Sequence, residues 1–320
     1  MKNHIATALK GMAMGMAEVV PGVSGGTIAF ITGIYERLLN VIKSIGPDAW
    51  MAFKEGGVQG LWKKLDGTFL VALLAGMVLG IVVGVFLITH LLETYPLLVW
   101  SYFFGLIVVS AWFVGRQIDD WNWKPVVAML SGAALAYYIT IAVPAPGNPA
   151  LYFVFISGAI AVSALMLPGL SGSFILLLMG MYSFVIPTIK EALKTLDPEK
   201  LLIVAVFGSG MLLGMIVFSR VVSWTFQKFR NTTLAVLTGF LIGSLNKIWP
   251  WQEVLSTMTK PSGETVVTFS KSVLPGTFET LQGNFLYGND PQILFCIVCM
   301  ILGFATVFGA EVMASRLTKS

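Results

Sequence analysis

Two short stretches of this chain carry residue types suited to holding an anion. Residues 19–30 read VVPGVSGGTIAF, and residues 166–177 read MLPGLSGSFILL. Both place Pro-Gly-x-Ser-Gly inside an apolar run. Pro21-Gly22 and Pro168-Gly169 break a helix at these points. Behind each break come glycine N–H groups, a serine hydroxyl and the start of a new helix. Free N–H groups and the helix dipole both favour negative charge there. Glycine also lets a phosphate oxygen approach the backbone closely. One cradle would comprise Ser24, Gly25, Gly26 and Thr27, and the other Ser171, Gly172 and Ser173. The plainer alternative is a pair of helix breaks that pack tightly, since Gly and Ser suit helix contacts within membranes.

Charged residues near the motifs differ between the copies. Glu18 lies three residues before Pro21, and Glu36-Arg37 follows Tyr35; the second copy has Leu165 and Ser183-Phe184 instead. Charge at membrane depth is costly and points to function. Arg37 is expected to pair with an anionic ligand, or else to be an interfacial arginine. Glu18 is expected to take part in proton coupling, or to position the loop by accepting N–H bonds. Glu36, Arg220 and Glu311 have no role that the sequence assigns.

A serine nucleophile is the competing chemistry. Gly22-Val-Ser24-Gly25 fits the G-x-S-G of rhomboid-type intramembrane proteases. Such a serine needs a base within reach. The two histidines are His4, at the extreme N-terminus, and His90, which closes an apolar run. Neither suits a mid-membrane Ser24, and a protease has no use for a second copy. No catalytic residue is therefore assigned. Cys296 and Cys299 form a C-x-x-C within ILFCIVCMILGF, read as helix packing rather than redox or metal chemistry. No cofactor and no metal is called for.

The elements that position these motifs are apolar helices. The chain has 320 residues, 56% of them hydrophobic and 11% charged; a soluble domain is about a quarter charged. No Asp, Glu, Lys or Arg occurs from Val126 to Ile189. The composition therefore implies a polytopic, all-α membrane protein. The start MKNHIATALKG lacks the cleavage pattern of a removable signal peptide. The net charge of +4 is read as loop charge that sets orientation, not as a nucleic-acid surface. Tryptophans, among them Trp50, Trp112, Trp249 and Trp251, are assigned to an interfacial belt.

Each motif is expected to sit in a hairpin, 5–20 with 27–42 and 151–167 with 174–189. Three spans follow each hairpin: 67–92, 96–115 and 126–143, then 201–219, 232–249 and 293–313. The polar stretch 251–290 is read as a loop. The halves align at an offset of 147 through the motifs and through Gly33/Gly180 and Tyr35/Tyr182. Later the offset is 134, where GMVLG (76–80) meets GMLLG (210–214). The expected organisation is one membrane domain, 1–320, of two repeats, 1–148 and 149–320. A hairpin plus three crossings is an odd count, so the second repeat would be inverted. With both termini cytoplasmic, inside segments hold twelve Lys and Arg against six outside. Inverted repeats with interrupted helices are a transporter signature, and two re-entrant tips would meet near the midplane.

MAEVVPGVSGGTIAFITGIYERLL (16–39) with LMLPGLSGSFILLLMGMY (165–182) closely resembles the PopT-type undecaprenyl phosphate translocase family, over essentially the whole chain. The resemblance implies a bacterial inner-membrane protein that returns undecaprenyl phosphate, the C55 carrier of envelope synthesis, from the outer to the inner leaflet. Its partners would be that lipid and the membrane, with no nucleic acid; a homo-oligomer is compatible with it. A secondary transporter of a small soluble anion remains the alternative.

Overall fold

Long apolar runs punctuated by Gly and Pro give a chain that is almost wholly helical. The computed structural model describes residues 2–20, 23–259, 265–281, 288 and 290–317. The first half runs α1 (Lys2–Glu18), α2 (Gly25–Ile31), α3 (Tyr35–Ser44), α4 (Pro47–Lys64), α5 (Gly67–Thr94), α6 (Pro96–Gly115) and α7 (Trp123–Ile141). The second runs α8 (Leu151–Met166), α9 (Gly172–Leu178), α10 (Tyr182–Thr195), α11 (Pro198–Lys228) and α12 (Arg230–Ser244). It closes with β1 (Gln252–Thr259), β2 (Thr265–Ser272), α13 (Pro275–Thr280) and α14 (Ile293–Leu317). The protein is a polytopic helical membrane protein. Among the described residues, α5, α6, α7 and α11 are each long and apolar enough to span, and the bent α9–α10 pair makes a fifth.

The second arm of each hairpin is two helices rather than one. α2 ends where the Ile34 N–H donates to the Ala29 carbonyl and the Gly33 N–H donates to Phe30, both at 3.0 Å. α9 ends in the same way, with Met181 donating to Leu176 at 3.0 Å and Gly180 to Leu177 at 2.9 Å. These are Schellman stops, which need a left-handed residue at the position after the cap. Gly33 (φ 71°) and Gly180 (φ 68°) supply it. After the second stop the chain turns through 115° between α9 and α10. Another junction is repeated at the offset of 134: Tyr95 (φ −134°, ψ 53°) before α6 and Phe229 (φ −138°, ψ 50°) before α12.

Helices pack through glycines that admit a neighbour's backbone. α1 lies on α5, where a Cβ added at Gly76 or Gly80 would overlap the Ala8 or Met12 carbonyl. α8 lies on α11 through Gly158, Gly210 and Gly214 in the same manner. The remaining pairs cross between the halves. Gly105 of α6 meets Met300 of α14, and Gly239 and Gly243 of α12 meet Met129 and Ala133 of α7.

Two expectations are corrected. Residues 251–290 are not a featureless loop. β1 and β2 pair antiparallel from Gln252↔Ser272 to Thr259↔Thr265, and α13 follows. The Val, Thr and Phe content of TVVTFSKS is the strand signal. Trp249 and Trp251 are not belt residues. Trp251 is 4% exposed and packs with Leu97, Phe278 and Cys296. The two indole N–H groups donate to the Val273 and Pro291 carbonyls at 2.8 Å, so these rings anchor the hairpin layer. Trp50, Trp62, Trp112, Trp121 and Trp123 are exposed.

Candidate functional site

The two motifs touch. Ser24 is fully buried and extended (φ −118°, ψ 136°), and its Oγ caps α2 by accepting from the Gly26 N–H at 3.0 Å. The same hydroxyl donates to the Leu165 carbonyl at 3.0 Å, in the last turn of α8. In the other direction, the Gly169 N–H donates to Thr27 Oγ1 at 3.0 Å. Thr27 is also fully buried. Ser24 and Thr27 of the first motif are thus hydrogen-bonded across to the backbone of the second.

Close approach explains the small residues here. A Cβ at Gly26 would sit 3.0 Å from the Leu165 carbonyl oxygen. One at Gly169 would sit 2.9 Å from the Phe240 carbonyl oxygen and 3.0 Å from Ser244 Oγ, on α12. Gly169 also has φ 84°, so a larger residue there is strained twice over. Gly172 lies against the Ala161 carbonyl of α8. Pro168 is buried at the turn; Pro21 and Gly22 lie outside the described residues.

The cradles differ in how their N–H groups are used. At the first, Glu18 Oε1 accepts from the Gly25 N–H at 2.6 Å. A carboxylate of the protein therefore takes the first N–H of α2. At the second, Ser171 is 4% exposed and its Oγ lies 2.9 Å from that of Ser173. Ser171 makes no side-chain cap to α9, and Ser173 is exposed.

Arg37 is placed apart from this seam of bonds. Its Nε donates to Asp66 Oδ2 at 2.7 Å, and its guanidinium stacks 4.2 Å above the Phe69 ring. Glu36 pairs with Arg230 of α12 at 2.9 Å, across the halves. That pair borders a cavity of about 180 Å³ also lined by Asn40, Ser223, Phe226 and Gln227. Arg220 lies beside Gly46, and the Glu311 side chain is outside the described residues. Sequence reasoning missed Asp66 and Arg230, because neither belongs to a motif and their partners are 29 and 194 residues away. Among the described residues no group of His, Cys, Asp and Glu could hold a metal, and Cys296 and Cys299 are free thiols.

Comparison with known proteins adds three findings. Residues 14–266 match the model of the VCA0040-like family, described as undecaprenyl phosphate translocase-like. A polyprenyl-phosphate transporter of Vibrio cholerae is 44% identical over 314 residues, covering 98% of each chain. A polyprenyl-phosphate transporter of Staphylococcus aureus is 31% identical over 265 residues, covering 76% of this chain and 85% of that one. No solved structure matches significantly.

Proposed function

The chain belongs to the undecaprenyl phosphate translocase-like family, and from that premise we propose that it carries a polyprenyl phosphate across the bacterial cytoplasmic membrane. The lipid is undecaprenyl phosphate, moved from the outer to the inner leaflet for reuse in envelope synthesis. The phosphate head binds between the two Pro-Gly-x-Ser-Gly turns, while the polyprenyl tail stays in lipid. The observation that supports this most is the pair of bonds joining the turns, Ser24 to Leu165 and Gly169 to Thr27. Non-helical backbone at membrane depth is tolerated where protein surrounds it or where it lines a cavity, and Ser24, Thr27 and Gly169 are buried where the two motifs meet.

In this reading the described state is a closed one. Gly25, Gly26, Ser24 and Thr27 are all bonded within the protein, so a phosphate must exchange with those bonds. Glu18 leaves Gly25 as the head group enters, which gives it the place of a resident anion and the coupling or positioning role. Ser171, Gly172 and Ser173 form the opposite wall. Arg37 takes part only by exchanging Asp66 for the phosphate. The two halves are inverted repeats, and the swapped pairing of α6–α14 and α7–α12 is what that symmetry requires. Alternating access then opens the seam to each face in turn.

The test uses cells lacking other carrier translocases. Surface-exposed undecaprenyl phosphate is quantified with a head-group-binding antibiotic, with and without the protein. Expression should lower the surface pool, and the Ser24→Ala/Ser171→Ala pair should restore it. An unchanged pool, with the protein present in the membrane, would favour transport of a small soluble anion instead.

A further inference from the structure

We propose that Lys247 is the cation that pairs with the phosphate at the second turn, an inference that rests on the proposed substrate site. Any cradle for a phosphate monoester needs positive charge as well as hydroxyls, because the head carries more than one negative charge. Arg37 and Arg230 are each held by a carboxylate, Asp66 and Glu36 respectively. Lys247 has no carboxylate or hydrogen-bond acceptor on its ammonium among the described residues. Its Nζ lies 4.5 Å over the Phe174 ring, and Phe174 directly follows Ser173.

The backbone also brings Lys247 to the motif. Its N–H donates to the Ser244 carbonyl at 2.9 Å, and Ser244 Oγ is the group that a side chain at Gly169 would meet. Lys247 therefore sits one turn beyond the residue that abuts the Pro-Gly break. The side chain is half-buried and rests on the aromatic face of Phe174, the residue that follows Ser173 in α9. A cation over a ring is held without being neutralised, so it can take an anion without first giving one up. Lysine acts on phosphate as a point charge on a flexible stem, which suits a site that must also release its cargo.

The charge belongs to one end of the molecule. At the offset of 134, the counterpart of Lys247 is Phe113. Glu18 likewise has only Leu165 opposite it. One turn thus has a resident carboxylate and the other a waiting ammonium. A phosphate would be drawn to the Lys247 side first, then compete with Glu18 at the other. This asymmetry gives the two faces of a symmetric backbone different affinities for the same head group.

The experiment measures binding to the purified full chain in lipid nanodiscs. The probes are geranylgeranyl phosphate, geranylgeraniol and inorganic phosphate. Wild type should prefer the phosphate ester over the alcohol. Lys247→Gln and Lys247→Met should weaken binding of the ester at least about tenfold and leave the alcohol unchanged. Lys247→Arg should retain most of the affinity, which separates lost charge from misfolding. Equal ester binding by wild type and Lys247→Met overturns the role of Lys247 while leaving the proposed substrate intact. Binding of inorganic phosphate but not the ester, still lost in Lys247→Met, supports Lys247 as an anion site and overturns the lipid substrate. Absence of any phosphate-dependent binding to wild type overturns both.

Discussion

Ser24 joins the two motifs through two hydrogen bonds. It ends the unpaired state of the Gly26 N–H and holds the Leu165 carbonyl, and in the proposed function it also meets the phosphate. Loss of a serine cap costs roughly 1 kcal/mol, and the buried Leu165 carbonyl would lose its partner as well. Ser24→Ala should therefore lower the melting temperature by a few degrees and slow transport in the same protein. Among the described residues Ser171→Ala breaks only the hydroxyl contact with Ser173, and it should leave stability nearly unchanged while still slowing transport. Thermal unfolding in detergent, read beside transport, distinguishes the two. Glu18→Gln keeps the shape but weakens the acceptor at Gly25; if Glu18 is a resident anion, this variant should bind geranylgeranyl phosphate more tightly than wild type. Unchanged or weaker binding would leave Glu18 as a loop support. At this scale the sequence is informative about serines and glycines as helix breaks and close contacts, because Pro-Gly-x-Ser-Gly interrupts an apolar helix wherever it falls. It was less informative about charges. Arg37 was expected near the anion, but Asp66 reaches it through a contact that no local pattern encodes.

The elements were legible wherever periodicity or punctuation wrote them. The expected spans 67–92 and 96–115 match α5 and α6 to within two residues. The split of each second arm was hidden, although its cause was in plain view. Gly33 and Gly180 match at the offset of 147, and only the left-handed φ reveals them as helix stops. The hairpin β1–β2 was missed because polarity outweighed the β-forming content of residues 265–272. Helix packing makes a sharper prediction. A Val at Gly80 places branched carbon on the Met12 carbonyl, so α1 and α5 must part. Overpacking typically costs 1–3 kcal/mol, or about 2 here, and Gly80→Val should reduce folded yield in the membrane. Gly208, with open space around it, should accept Ala without loss. Equal yields for the two variants would mean that the glycine contacts do not hold α1 to α5.

At the scale of the whole molecule, helices early in the chain pair with helices late in it. α6 and α7 of the first half are locked against α14 and α12 of the second by backbone contact. A swing of one entire half against the other would tear these contacts. Another seam runs between α3 and α11, where Asn40 Oδ1 accepts from Ser223 at 3.4 Å beside the Glu36–Arg230 pair. The half-exposed ion pair is weak, about 0.5 kcal/mol, so the seam is held mainly by Phe226 packed against Phe30 and Tyr35. A cysteine pair at positions 40 and 223, with Cys296 and Cys299 replaced by serine, should stop transport when oxidised and restore it when reduced. Undiminished transport with the bridge formed would place the moving seam elsewhere.

The most direct test of the central claim is flux of the lipid itself. Purified protein is reconstituted into vesicles containing undecaprenyl phosphate, and an impermeant phosphatase added outside reports the exposed fraction over time. The account predicts that wild type makes the inner pool accessible, whereas Ser24→Ala/Ser171→Ala does so at least about tenfold more slowly. A double variant that is correctly folded and inserted, yet exposes the lipid at the wild-type rate, would contradict the claim that the paired turns carry the phosphate.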